Sequence, residues 1–475
     1  MVFNSLLFGV FFAIFLLLYH RFPHRWQNHL ILVASYVFYG AWDWRFLSLI
    51  WISTVVDWWV GLHLDPAKPQ AYRRRTLLLS CIFNLGFLGF FKYYGFFVSS
   101  FIDLAAVFGW HPDIRVLQIV LPIGISFYTF QSMSYTIEVY RNHIGPCRSL
   151  LDYATFVAFW PHMVAGPIMR GTTLLPQVQQ PRTVTRQQLH DGLRLILWGL
   201  YKKMVIADNM ALIADPIFAR PAPYTFGEVT VGVLAFAFQI YGDFSGYSDI
   251  ARGCSKLMGF ELIVNFNLPY LATSPQDFWR RWHISLSSWL RDYLYVSLGG
   301  NRFGRARTYV NLELTMLLGG LWHGASWTFV AWGAYHGTLL AVHRAIEEWR
   351  GKGPRDAGPA RREFTFGWFA SVAFMFVLTL YGWLLFRCHT FDQIAAMTRA
   401  LVGGPLGAES FARLGTIAFY CVPLVVVQWF QRTAGDLDVF GRWPVWVQAA
   451  FYLFCLYSIL LFGVFRGAAF IYFQF

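Results

Sequence analysis

The sequence predicts an all-α, polytopic membrane protein. Of its 475 residues, 57% are hydrophobic and only 13% are charged, whereas soluble domains carry about 25% charged residues. Apolar stretches close to the ~20 residues that cross a bilayer recur along the chain. Several of the central stretches are broken by Pro, Gly and polar residues, and irregular backbone at membrane depth needs a cover of protein or a water-filled cavity. We therefore expect one membrane-embedded domain, residues 1–475, with broken or re-entrant helices around a central cavity.

Taken in order, the apolar stretches predict about ten to twelve crossings. The first stretch lacks a basic leader and a small-residue cleavage site, which favours a retained span over a signal peptide. The predicted spans cover residues 3–19, 29–42, 47–62, 76–101, 117–140, 153–168, 193–206, 229–241, 312–342, 368–386, 417–430 and 446–465. We divide the domain into N-terminal flanking helices at 1–116, a catalytic core at 117–343 and C-terminal flanking helices at 344–475.

The basic residues behind the formal net charge of +13 lie mostly in short loops between apolar stretches. Cytoplasmic loops of membrane proteins carry such residues, so the charge predicts an orientation and not a nucleic-acid partner. The basic loops at 73–75 and 350–362 are then cytoplasmic, and the loop at 102–113, which has no Lys or Arg, is external. We expect the N-terminus outside. The six cysteines are scattered along the chain and no two of them have CxxC spacing, which argues against a zinc site and a disulfide framework.

A first histidine segment covers residues 276–293. If it is helical, Arg280, His283, Ser287 and Arg291 fall on one stripe, and the opposite positions are mostly apolar. Such a helix offers fixed positive charge and an imidazole to a phosphate-bearing ligand. The alternative is an interfacial amphipathic helix whose arginines contact lipid headgroups. The spacing alone leaves both interpretations open.

A second histidine, His323, lies inside the longest apolar stretch, at 312–342. An ionisable residue at membrane depth is a functional hypothesis by default. Desolvation disfavours the imidazolium, and a neutral imidazole can accept a proton from a hydroxyl. The alternative is a packing histidine bonded to a backbone carbonyl. His336 lies ~20 Å further along a continuous helix and more than half a turn around it, so we do not expect it to share a site with His323.

Two polar islands interrupt other apolar stretches. The island at 239–249 offers Gln239, Tyr241, Asp243 and Tyr247 as a pore lining or ligand cradle, and the island at 159–167 contains His162 in a broken helix. Either island can be purely structural. The sequence contains no GxSxG, GxxxxGK[ST], HExxH or Rossmann glycine motif, which argues against a serine hydrolase, an NTP-driven pump, a metalloprotease and a dehydrogenase.

The two histidine segments together resemble the membrane-bound O-acyltransferase superfamily. The resemblance rests on Arg-Trp-His-Ile-Ser at 281–285 and Leu-Trp-His-Gly-Ala at 321–325, and it is closest in the bacterial polysaccharide branch, of which alginate O-acetyltransferases are an example. Supporting stretches occur in the expected order at 91–94, 121–127, 166–168, 243–249 and 470–475. These motifs do not separate enzymes that acetylate alginate, bacterial cellulose or peptidoglycan, and the D-alanyl transferases of teichoic acids are more distant.

The resemblance implies a fold with a central tunnel and a two-histidine site. It implies His323 as the catalytic histidine and His283 as the second polar position, with acetyl-CoA entering from the cytoplasm as co-substrate, no permanently bound cofactor and no metal. We assign His323 as general base toward the acceptor hydroxyl. His283 then orients or polarises the thioester carbonyl. No serine or cysteine other than Ser326 lies beside His323, which favours direct transfer over an acyl-enzyme.

The remaining candidates would bind substrate near the two histidines. They are Arg280, Arg281, Trp282, Ser287, Arg291, Gln239, Tyr241, Asp243, Tyr247, Trp322 and Ser326. The function expected is acetyl transfer from the cytosolic thioester across the inner membrane to hydroxyls of an exported polysaccharide, with alginate first and cellulose or peptidoglycan as alternatives. The resemblance also implies an outer-face (periplasmic) acetyltransferase partner. A transporter built from broken helices is a further alternative, but no inverted repeat is evident.

Overall fold

The computed structural model describes residues 1–351, 364–465 and 470–471. Every regular element in these ranges is helical, which confirms the all-α prediction. The predicted cytoplasmic loop at 350–362 lies outside the described residues from Lys352 onward. So do the last four residues of the motif at 470–475.

The helices of the described ranges fall into two compact units, Met1–Leu193 with Ala251–Ile263, and Arg194–Ile250 with Val264–Phe475. The first unit contains α1 Leu6–Tyr19, α2 His24–Asp43, α3 Leu47–His63, α4 Gln70–Leu88, α5 Tyr94–Val107, α6 Ile125–Tyr140, α7 Leu150–Val157 and α8 Gly171–Gln179. Two helices have residues in both units, namely α9 Arg186–Leu200 and α11 Phe226–Lys256. The single domain and its three-part division stay predictions.

The second unit carries both predicted catalytic histidines. Its other α-helices are α10 Asp208–Ala219, α12 Pro275–Trp279, α13 Ile284–Trp289, α14 Gly304–His323, α15 Trp327–Trp349, α16 Phe366–Arg387, α17 Phe391–Ala400, α18 Ala408–Ala434 and α19 Val445–Phe462. A π-helical segment, Tyr201–Ala207, joins α9 to α10, and a second one, Leu290–Tyr295, follows α13.

Six helical stretches of the described chain are long and apolar enough to cross a membrane. They are His24–His63, Gln70–Val107, Phe226–Lys256, Phe366–Arg387, Ala408–Ala434 and Val445–Phe462. The chain is therefore a multi-pass membrane protein, as its composition predicts. The larger count of ten to twelve crossings stays a prediction.

The predicted continuous span at 312–342 is wrong, because the chain reverses within it. Helix α14 ends at His323, Gly324 is extended, and α15 begins at Trp327. Ser326 is the N-cap of α15, since its hydroxyl accepts a hydrogen bond from the Thr328 backbone N–H at 3.2 Å. A serine in this position satisfies a backbone donor that the first turn of a helix leaves unpaired. The uniform apolarity of the stretch conceals this stop and restart.

Glycines let α14 and α15 pack closely. A Cβ on Gly320 would meet the Phe329 carbonyl oxygen, and one on Gly333 would meet the Met316 carbonyl oxygen. Small residues at such contacts allow two backbones to approach, as is common between membrane helices. The resulting hairpin places the end of α14, with His323, beside the first turns of α15.

Candidate active site

The two predicted catalytic histidines lie at breaks in the helices. His323 is the last residue of α14. His283 lies in the turn between α12 and α13, in the left-handed region with φ 43° and ψ 54°. A residue other than glycine is uncommon in that region, and its neighbours must hold it there.

Asn265 supplies that support to the residues that follow His283. Its backbone carbonyl accepts the Ile284 N–H at 2.9 Å, and its side-chain oxygen accepts the Ser285 N–H at 3.1 Å and hydroxyl at 2.9 Å. These bonds fix the start of α13 immediately after the left-handed turn. Nothing in the spacing of the sequence identified Asn265, which lies 18 residues before His283.

The structure brings the two histidine rings together. Their centroids are 6.4 Å apart, and the Trp322 ring lies 5.9 Å from His283 and 5.1 Å from His323. Both side chains are buried, with 0% of His283 and 5% of His323 exposed. The sequence separates them by 40 positions, so their proximity is a property of the fold. The two rings are therefore close enough to belong to one candidate site.

Aromatic side chains form the walls around these rings. Phe244 of α11 meets His283 edge-on at 4.6 Å, while Trp332 of α15 and Phe386 of α16 meet His323 at 5.0 and 5.4 Å. None of these three residues was predicted. The signal for Phe244 was its place inside the polar island at 239–249, and Trp332 lies one helical turn before His336.

Burial keeps the His283 ring neutral. His283 lies outside the six candidate spanning helices, and its complete burial lowers its pKa to about 3, because an apolar surrounding disfavours the imidazolium. At neutral pH one of its ring nitrogens is therefore an N–H donor and the other an acceptor.

The predicted stripe on a single helix at 276–293 is wrong. The left-handed turn at His283 separates α12 from α13, so that helical spacing does not continue through it. His283 is buried, whereas Arg280 and Arg291 are exposed, and Arg291 bonds the adjacent Asp292 at 2.6 Å. The two arginines therefore do not share a face with the imidazole.

The other candidates of this segment have contacts of their own. Arg281 forms an ion pair with Asp277 at 2.7 Å. Trp282 is buried against Trp383, with ring centroids 4.7 Å apart. The Ser287 hydroxyl donates to the Ile284 carbonyl of its own helix at 3.3 Å. Their roles in substrate binding stay predictions.

The polar island lies on α11 and is largely tied to other helices of the second unit. Gln239 donates to an Asp215 carboxylate oxygen at 3.3 Å, and the Tyr241 hydroxyl accepts a hydrogen bond from Gln428 at 2.8 Å. These contacts explain why polar side chains are tolerated inside an apolar helix. They do not exclude contact with a substrate.

Asp243 and Tyr247, the other two candidates on α11, contact residues near the end of the described chain. Asp243 accepts the Ile471 N–H at 2.7 Å, and the Tyr247 ring lies 5.0 Å from that of Phe470. Both contacts join a central helix to a segment more than 200 positions away in the sequence.

Two further histidines have different surroundings. His336 and His323 both contact the Trp332 ring, with ring centroids 4.7 and 5.0 Å away. The distance of ~20 Å expected between the two histidines assumed one continuous helix, and it therefore does not apply. The reversal at 324–326 brings both residues to one aromatic side chain. In the first unit, His162 shares a 2.7 Å hydrogen bond with Gln131.

Comparisons with known proteins identify the family of this chain. The family model described as MBOAT, membrane-bound O-acyltransferase family, matches residues 141–386, which include both histidines. The chain is 46% identical over 403 residues to the "Probable alginate O-acetylase AlgI" of Azotobacter vinelandii, covering 84% of this chain and 78% of that protein.

Other relatives carry related names. The "Peptidoglycan O-acetyltransferase" of Helicobacter pylori is 36% identical over 80% of this chain and 74% of its own length. The "Teichoic acid D-alanyltransferase" of Bacillus subtilis is 29% identical over 51% of this chain and 63% of its own length. On the family match and the identity to these acyltransferases, the chain belongs to the membrane-bound O-acyltransferase family and is an acyltransferase.

Proposed function

We propose that this enzyme takes an acetyl group from acetyl-CoA at the cytosolic side of the inner membrane and delivers it to hydroxyls of an exported polysaccharide, first of all alginate. The observation that carries the proposal is the pair of buried imidazoles, 6.4 Å apart between ring centroids with Trp322 against both. Such a pair can act on one reacting group from two directions. The name of the Azotobacter relative supports acetyl as the group and alginate as the acceptor.

In the proposed reaction, His323 is the general base. As the acceptor oxygen attacks the thioester carbonyl carbon, the neutral His323 imidazole takes the hydroxyl proton. A tetrahedral intermediate forms, its C–S bond breaks, and the departing sulfur takes the proton back from the imidazolium. The products are an O-acetyl ester and the CoA thiol, so no proton is gained or lost. A positioned base of this kind contributes about 10²–10⁴-fold to the rate.

His283 supports the oxyanion in this scheme. Because its ring is neutral, it offers one N–H that can point at the thioester oxygen, where negative charge develops. The aromatic walls exclude water, which strengthens that hydrogen bond and limits hydrolysis of the thioester. Holding both reactants in this enclosure adds the advantage of proximity.

Peptidoglycan is the second acceptor to test, because of the Helicobacter relative, and bacterial cellulose is the third. The proposal also includes an external N-terminus and an outer-face (periplasmic) acetyltransferase partner, which in the cell assists the transfer that this enzyme makes to the polymer. A single cysteine in place of Arg74 tests the orientation. We expect an impermeant thiol reagent to label it only from the cytoplasmic side, and labelling from outside would invert the topology.

The decisive experiment uses purified full-length protein, acetyl-CoA labelled in the acetyl group, and three acceptors: alginate, peptidoglycan fragments and cellulose. We expect wild type to label alginate, and His323→Ala to lose at least about 10²-fold of that rate, since the base is removed. His29→Ala is the matched control, because His29 is exposed and belongs to α2 of the first unit. Transfer by His323→Ala at the wild-type rate would remove His323 from the mechanism.

A further inference from the structure

Both oxygens of the buried Asp243 carboxylate have protein partners. Oδ1 lies 2.9 Å from the Lys203 ammonium, which also pairs with Asp208 at 2.9 Å. Oδ2 accepts the Ile471 backbone N–H at 2.7 Å. A carboxylate occupied on both oxygens fits the role of an anchor better than that of a substrate ligand.

The anchored segment reaches one of the catalytic histidines through a single intervening ring. Phe470, next to Ile471, is buried, and its ring centroid is 5.8 Å from Phe244. Phe244 is itself fully buried and meets His283 edge-on at 4.6 Å. Phe470, Phe244 and His283 therefore form a continuous row of rings, which begins at the anchored segment and ends in the site.

The backbone at His283 makes this row consequential. A left-handed conformation at a residue other than glycine persists only where its surroundings hold it. Asn265 fixes the residues after His283, while Phe244 packs against the ring itself. Removing the ring behind Phe244 would open space into which Phe244, and then His283, can move.

We propose that the segment Phe470–Ile471 is a positioning element for His283, held in place by Asp243. The proposal rests on the proposed function for the role of His283, and it adds residues that touch neither substrate nor the reacting atoms. Asp243 accepts the Ile471 N–H and so fixes that residue. Ile471 in turn holds the adjacent Phe470 in place, and Phe470 keeps Phe244 against the imidazole.

A double-mutant cycle on kcat tests the proposal. We expect Phe470→Ala and Asp243→Ala each to lower kcat about 10-fold per folded molecule, with the KM for acetyl-CoA within about twofold of wild type. Because both act through one segment, the double variant should also lose about 10-fold and not about 100-fold. Phe470→Leu should recover most of the rate. Phe465→Ala is the matched control, because Phe465 is 60% exposed.

A second measurement is independent of activity. Diethyl pyrocarbonate modifies accessible histidines, and mass spectrometry of the peptides reports which ones react. We expect His283 to be protected in wild type and in Phe465→Ala, and to react in Phe470→Ala. Multiplicative kcat losses, or a His283 that stays protected in Phe470→Ala, would overturn the proposal. A wild type that does not transfer label would instead refute the proposed function, and the protection experiment would still decide the positioning role.

Discussion

Replacing Gly333 by alanine tests whether close packing of the α14–α15 hairpin sets the position of His323. A Cβ on Gly333 would lie 3.0 Å from both the Met316 carbonyl carbon and the Leu317 Cα. Ordinary contacts begin at 3.4 Å, so the two helices must separate by at least the difference, 0.4 Å. The neighbouring atoms belong to backbone, which cannot rotate away as a flexible side chain does.

The expected cost follows from that overlap. Overpacking of this kind destabilises by about 1–3 kcal/mol, and the better helix propensity of alanine returns up to about 1 kcal/mol. The effect on catalysis should be larger, because α14 ends at His323 and a displacement approaching 1 Å costs about 10²-fold in rate. We expect a lowered melting temperature in detergent and a loss of acetyl transfer of about 6- to 100-fold, which corresponds to a displacement between 0.4 Å and about 1 Å at about 10²-fold per ångström.

Gly415→Ala is the matched control. Gly415 lies within α18, and a Cβ there would meet nothing within 4 Å. This variant should be neutral, or more stable by up to about 1 kcal/mol. A Gly333→Ala protein with the melting temperature and activity of wild type would refute the reasoning about the hairpin.

Three further predictions concern single side chains. Trp332→Ala should lower kcat about 10-fold, because loss of the ring lets His323 move from its position. Trp332→Phe keeps a ring against His323 and should retain more of the rate, and equal kcat values for the two variants in steady-state assays would contradict this. Lys203→Met should destabilise the protein by about 3–5 kcal/mol in thermal unfolding, because two buried carboxylates lose their cation. Lys256→Met is the control: the Glu261 carboxylate that pairs with Lys256 is 52% exposed, so this variant should cost at most about 1 kcal/mol. Burial lowers the pKa of His283 to about 3, so its ring stays neutral in the folded protein as the pH falls through 6.5. His283→Gln should therefore leave the shape of the kcat–pH profile between pH 5 and 9 unchanged. A shift of the acid limb of that profile would show that His283 titrates in this range.

The general fold was predictable because composition and span length constrain it strongly. The stretch at 312–342 was not, because apolar residues suit one long helix and a tight hairpin equally well. Two local signals were present, the glycine after His323 and the serine before Trp327, and both mark helix ends. Chain reversal inside a uniform apolar stretch depends on such capping residues, which hydropathy does not weigh.

The grouping of His283 with His323 in one candidate site was predicted only through the family resemblance. Helical spacing suggested grouping His283 with Arg280 and Arg291, and the left-handed backbone at His283 prevents that grouping. The pairing of His283 with His323 depends on how separate helices pack, which local periodicity does not contain. Asn265 and Phe470 could not be found for the same reason, since their relevance comes from contacts with distant parts of the chain.

The reversal after α14 also has an electrostatic consequence. It leaves His323 in the last turn of a helix, where backbone carbonyls without intrahelical partners give the helix end a partial negative charge. That charge favours a cation by about 0.3–1 kcal/mol, and by up to about 2 kcal/mol in partly buried geometries. In the proposed reaction the imidazolium exists only briefly, between attack and departure of the sulfur. The helix end would therefore stabilise His323 most at the moment when its ring holds the extra proton.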